Sequence, residues 1–229
     1  MINITKLQKY APTIGLVTFA VSLFLQIIFY LIMTSSETFG TGKISFFYEV
    51  FIFSYHLLST ILWLSFILIC RELGNNLLTK SALIYLGIQV FIFVLVEWIR
   101  PNIYYNLSGL IPFMTYIEHI TAAAICFIIL SIKQPCFPFL IKLKWLALLK
   151  ITLIILNIIT NYLLNNNQED TLNSNPFEAR PPIFYYINTI SPIINLTFSF
   201  ICVWWLINMR RYFKDKYSGL NSSLTKHNI

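Results

Sequence analysis

Six runs of mostly apolar residues follow one another along this chain: Ala11–Met33, Ile44–Cys70, Ser81–Ile99, Leu110–Ile132, Phe139–Leu164 and Ile183–Asn208. Each is close to or above the ~20 residues that a helix needs to cross a hydrocarbon core about 30 Å thick. Composition agrees. Hydrophobic residues make up 57% of the 229 positions and charged residues only 11%, about half the charge of a typical soluble domain. A soluble fold of this size has too much surface to hide so much apolar side chain. The expected fold class is therefore all-α, a polytopic membrane protein with a six-transmembrane-helix bundle. Residues 1–217 form the membrane domain and residues 218–229 a polar tail. The second, fifth and sixth runs are long enough to tilt or to project beyond the bilayer.

The basic residues orient the bundle. Twelve fall on one side: Lys6 and Lys9, Arg71 and Lys80, Lys133, Lys142 and Lys144, then Arg210, Arg211, Lys214, Lys216 and Lys226. Three, Lys43, Arg100 and Arg180, fall on the other, and Lys150 lies within a run. The positive-inside tendency places both termini in the cytoplasm, which an even number of spans requires. The membrane is a plasma or bacterial inner membrane. The first run is too long for a signal peptide, and no small-residue cleavage site follows it. Trp98, Tyr104 and Tyr105 mark the outer interface, and Trp145, Trp204 and Trp205 the inner one. The net charge of +7 flanks apolar runs and forms no stripe, so it speaks for topology and against a nucleic-acid partner. Cys70, Cys126, Cys136 and Cys202 fall in the cytoplasmic half, where thiols stay reduced. The polar connection Asn165–Pro182 is expected to be a mobile outer loop, able to act as a lid.

Polar groups inside the apolar runs carry the functional reading, because ionisable residues at membrane depth are costly and face a bundle interior or a water-filled cavity. On the second run Glu49, Phe53, His56, Thr60 and Trp63 recur at helical spacing. On the fourth, Thr115, Glu118, His119, Ala122 and Cys126 share a side. The third carries Gln89 at mid-depth and Glu97 near its outer end, where Arg100 can pair with it. The first run has Thr18, Ser22, Gln26 and Tyr30. The fifth has Asn157 and Asn161, and the sixth Asn188, Ser191, Asn195, Ser199 and Cys202, with Pro192 a kink position. The simplest inference is an outward-facing polar cavity formed by Glu49, His56, Gln89, Glu118, His119, Asn157 and Asn195, with His56 and Glu118 close enough to share a hydrogen bond, a water or a ligand. Each signal also has a structural explanation. The Asn residues can be interhelical hydrogen-bond glue, Lys150 can snorkel to the inner interface, and Ala122, Ala123 and Ala124 suit close helix packing.

Such a cavity suits transport or binding of a small solute or ion, with carboxylate and imidazole exchanging protons. A second chemistry is also writable. His56 and His119 lie at similar depth, so they can hold a b-type haem as paired axial imidazoles, or a metal ion together with Glu118 or Glu49. His56 and His119 are the two His within the runs, so a three-His zinc site is excluded. A third reading is an accessory or immunity-type protein that acts on a membrane-protein partner, or on a second copy, through helix contacts. The sequence carries no P-loop, no H-E-x-x-H and no G-x-S-x-G elbow. A hydrolase built on Ser108 and His119 is the least supported option.

Overall fold

The computed structural model describes residues 4–34, 41–94, 110–133, 139–170 and 182–226, with no strand among them. Six helices follow in order: α1 Ile4–Thr34, α2 Thr41–Glu72, α3 Asn76–Val94, α4 Leu110–Ser131, α5 Leu140–Asp170 and α6 Pro182–Lys226. Five contain apolar stretches long enough to span a membrane: Leu7–Ile32, Val50–Glu72, Asn76–Val94, Leu140–Thr160 and Ile190–Ser218. The described apolar part of α4 is the shorter Tyr116–Ser131. The whole of α4 has 22 residues, a length of ~33 Å. The chain is a helical membrane bundle, and the large side chains it leaves exposed, such as Phe24, Ile84, Phe127, Ile141 and Phe200, are those a lipid-facing surface requires.

Helix ends extend past the apolar runs. The helix of α5 continues to Asp170, so the first part of the expected loop Asn165–Pro182 is helical. Residues 171–181 lie outside the described residues. Asn lowers helix propensity without breaking a helix, and no Gly or Pro occurs between Leu140 and Asp170. Pro182 then opens α6 at the helix position where its missing N–H costs nothing. At the other end α6 runs on to Lys226, making most of the polar tail a helical continuation. Glu97, Trp98, Arg100, Tyr104, Tyr105, Ser108, Cys136 and Arg180 fall outside the described residues.

The turn between α2 and α3 is much tighter than the sequence suggests. Gly74 adopts φ +72°. Its N–H donates to the Arg71 carbonyl at 3.0 Å, and that of Asn75 to the Cys70 carbonyl at 3.1 Å, the hydrogen-bond pattern of a Schellman cap. Asn75 also starts the next helix. Its Oδ1 accepts from the Leu78 N–H at 2.9 Å, which satisfies one of the free donors at the N-terminus of α3. One Gly–Asn pair thus closes α2 and opens α3, which fixes the antiparallel register between them.

The helices cluster in two compact units, Met1–Glu118 with Leu206–Ile229, and His119–Trp205. In the first, α1 packs on α2 and α2 on α3. Gly15 lets α1 approach closely: a Cβ there would sit 3.2 Å from Leu206 Cδ2 and 3.4 Å from Ser65 Cβ. Phe29 and Phe51 stack at 4.0 Å. Ile67, Ala82 and Leu86 form a core flanked by Trp63 and Phe66. Toward the chain termini, Met209 and Phe213 of α6 are buried, Lys216 pairs with Glu72 at 2.7 Å, and Lys9 lies over the Tyr217 ring. In the second unit, α4 buries Ala122, Ile125, Cys126 and Ile129, and α5 buries Leu143, Leu146, Ala147, Leu153 and Ile154. The Lys142 ammonium stands 3.5 Å from the Trp204 ring centroid, a cation–π contact.

Candidate functional site

The register set at Gly74–Asn75 carries through the α2–α3 pair in two ring contacts. Near the turn Trp63 meets Tyr85 at 4.5 Å. Two turns farther along, His56 lies 4.6 Å from Phe93. The same register sets Thr60 level with Gln89. The α2 face His56–Thr60–Trp63, singled out from its spacing, thus packs on the α3 face Tyr85–Gln89–Phe93. Both sets follow the i, i+3/i+4 rule for residues that share one side of a helix.

Glu118 of α4 completes the site. Its Oε1 accepts from the Tyr85 hydroxyl at 3.2 Å and from Gln89 Nε2 at 3.2 Å. Gln89 Nε2 also donates to the Tyr85 oxygen at 3.1 Å. The three groups close a triangle in which the carboxylate receives both donors on one oxygen. Among the described residues, Glu118 Oε2 and Gln89 Oε1 have no hydrogen-bond partner, and no cationic side chain pairs with the carboxylate. The charge of Glu118 also reaches Tyr55 on α2. The result is a half-buried carboxylate with two open acceptors beside it and the rings of Tyr85 and Trp63 close by.

Tyr85 is the member that sequence reasoning missed. A tyrosine in an apolar run reads as core, and Tyr85 is indeed buried. Its place four residues before Gln89 was the available signal, because a buried tyrosine hydroxyl needs a partner. Sequence reasoning expects His56 and Glu118 close enough to share a hydrogen bond, a water or a ligand. His56 packs against the rings of Phe93 and Tyr55, and the hydrogen-bond partners of Glu118 among the described residues are Tyr85 and Gln89.

The remaining candidates separate. Glu49 lies on α2, with its side chain outside the described residues, as are those of Thr115, Asn161 and Asn188. His119 is half-buried on α4 in the second unit. Asn157 and Asn195, in the second unit, are exposed. Many hydroxyls of the polar stripes bond to their own helix. Thr60 donates to the His56 carbonyl, Thr160 to Leu156, Thr197 to Ile193 and Ser199 to Asn195. Such back-bonding satisfies a hydroxyl in any surroundings, so these stripes need no cavity. On α1, Thr18 is buried, Ser22 half-buried, and Gln26 and Tyr30 exposed. Steps of four residues drift about 40° around a helix at each step, so the ladder leaves the packed face.

Among the described residues, no three His, Cys, Asp or Glu side chains gather where they could hold a metal ion. Cys70 and Cys126 are buried free thiols and Cys202 is half-buried and free. No family model matches the chain, and neither a curated protein nor a solved structure shows significant similarity to it.

Proposed function

We propose that this membrane protein binds and passes a small cationic solute or a proton, with Glu118 as the exchanging group. The carrying observation is the carboxylate that no cation offsets among the described residues: Tyr85 and Gln89 both donate to Oε1, while Glu118 Oε2 and Gln89 Oε1 have no partner there. A charged side chain at the centre of a membrane helix costs ~2.5–3.5 kcal/mol on insertion scales, and is normally paired or functional. A proton or a cationic guest supplies the missing partner. The Tyr85 and Trp63 rings add faces suited to a cation. By the charge asymmetry of the loops, both termini are cytoplasmic and the site is reached from the outer side of a plasma or bacterial inner membrane.

Liposomes containing the protein and a trapped pH dye test this reading. An imposed membrane potential should drive proton or cation movement through the native protein. Glu118→Gln, which keeps an oxygen to accept both hydrogen bonds, should abolish that movement with little change in melting temperature. Equal flux through both proteins would overturn the proposal.

A second reading has its own observation. Asn157 and Asn195 are exposed on helices with apolar surroundings, and lipid offers an amide no partner. Docking of another membrane helix, from a second copy or a partner protein, would satisfy them. Leucine at both positions should then dissociate that complex in mild detergent.

A further inference from the structure

The basic residues at the end of α6 divide into two sets by what they touch. Lys216 is held by Glu72 at 2.7 Å, and the neighbouring Tyr217 has its ring under Lys9. These residues fasten α6 to α1 and α2. Arg210, Arg211 and Lys214 are exposed, and among the described residues none makes an ion pair. At about 100° per residue, the three fall on one arc of roughly 100°. A separate arc of the same turns, starting about 40° from Arg210, carries Leu206, Met209 and Phe213, all buried. Asp215 lies beyond Arg211 at the edge of the arc. This cationic face starts just past the sixth apolar run, Ile183–Asn208, where basic residues at the end of a membrane helix meet the headgroup region.

Topology alone needs charge on this side and places no condition on its arrangement. The structure sorts the cations further. Those facing the bundle are neutralised, and two guanidinium groups and one ammonium remain together at the interface. Guanidinium matches phosphate with two parallel hydrogen bonds. We infer that Arg210, Arg211 and Lys214 form a binding site for the phosphate of an anionic phospholipid headgroup in the leaflet that meets the chain termini. The site would hold α6 at fixed depth and tilt through a bound lipid. It does not depend on Glu118, and the orientation decides only which leaflet supplies the lipid.

Titration of the full-length protein in neutral detergent with phosphatidylglycerol tests the inference, with phosphatidylcholine in parallel and melting temperature as the readout. Phosphatidylglycerol should stabilise the native protein saturably and phosphatidylcholine should not. Replacing Arg210, Arg211 and Lys214 by Gln should raise the half-saturating lipid concentration on the order of a hundredfold, at about fivefold per cation near a surface. A control in which the exposed Arg71, Lys80 and Lys133 become Gln removes the same charge from the same side, and should keep the native response. Should the triple variant fail to fold, Arg210→Lys with Arg211→Lys keeps the charge, loses the paired hydrogen bonds, and should still weaken the response. Three results would overturn the site: equal loss in the control, equal stabilisation by both lipids, or the same stabilisation from soluble glycerol phosphate alone.

Discussion

Replacing Tyr85 with Phe removes one oxygen and nothing else from the Glu118 triangle. That oxygen takes part in two hydrogen bonds, one donated to Glu118 and one accepted from Gln89. Side-chain hydrogen bonds between membrane helices average about 0.6 kcal/mol and reach ~1.7. Two of them, around a carboxylate and inside a packed ring contact with Trp63, should make Tyr85→Phe destabilising by about 1–2 kcal/mol. Glu118→Gln should cost less, about 0.5 kcal/mol, because an amide oxygen accepts both donors. Reversible unfolding in mixed lipid–detergent micelles reads both values, with Tyr162→Phe as the reference. Tyr162 is 63% exposed, so its hydroxyl should matter little. In a double-mutant cycle the Tyr85 and Glu118 changes should couple. If Tyr85→Phe costs no more than Tyr162→Phe and shows no coupling with Glu118→Gln, the triangle does not exist in the membrane, and the site built on it falls.

Other perturbations probe the frame around the site. Gly74→Ala should cost about 1–2 kcal/mol, because an L-residue is strained at φ +72°; thermal melting checks it, and the Trp63–Tyr85 register should loosen with it. Gly15→Leu should destabilise by roughly 1–3 kcal/mol through overpacking against Leu206 and Ser65, measured by the same unfolding assay. Replacing Asn157 and Asn195 together by Leu should leave a monomer as stable as the native one or more so, while any native oligomer seen by light scattering is lost.

The bundle was legible in the sequence because apolar length is a direct physical requirement of the bilayer. Helix ends were less so, since the edge of an apolar run marks where lipid ends. The Asn, Gln and acidic residues that finish α5 solvate a helix without stopping it. At Gly74–Asn75 the signal was present, a left-handed residue followed by a capping side chain, and it makes the α2–α3 turn shorter than a polarity reading gives. The sides of each helix were the hardest to read. Helices with apolar surroundings on every face carry little directional signal, and Ser and Thr are answered by their own backbone. Asn157 and Asn195 looked like interior groups by depth and are exposed. Glu118 and Gln89 were legible as costly groups, but their shared partner Tyr85 was hidden by its aromatic ring, and the packing of His56 against Phe93 left no mark in the spacing.

The most direct test of the central claim is an infrared pH titration of the reconstituted protein, taken as the difference between native protein and Glu118→Gln. If Glu118 exchanges a proton, a single carboxyl C=O band should appear and vanish with pH in the native spectrum and be absent from the variant. It should shift in frequency in Tyr85→Phe, where one donor to Oε1 is lost. Addition of a permeant organic ammonium ion should suppress the band if the guest is a cation that displaces the proton. Identical titrations in native protein and Glu118→Gln, with or without the ammonium ion, would contradict the account.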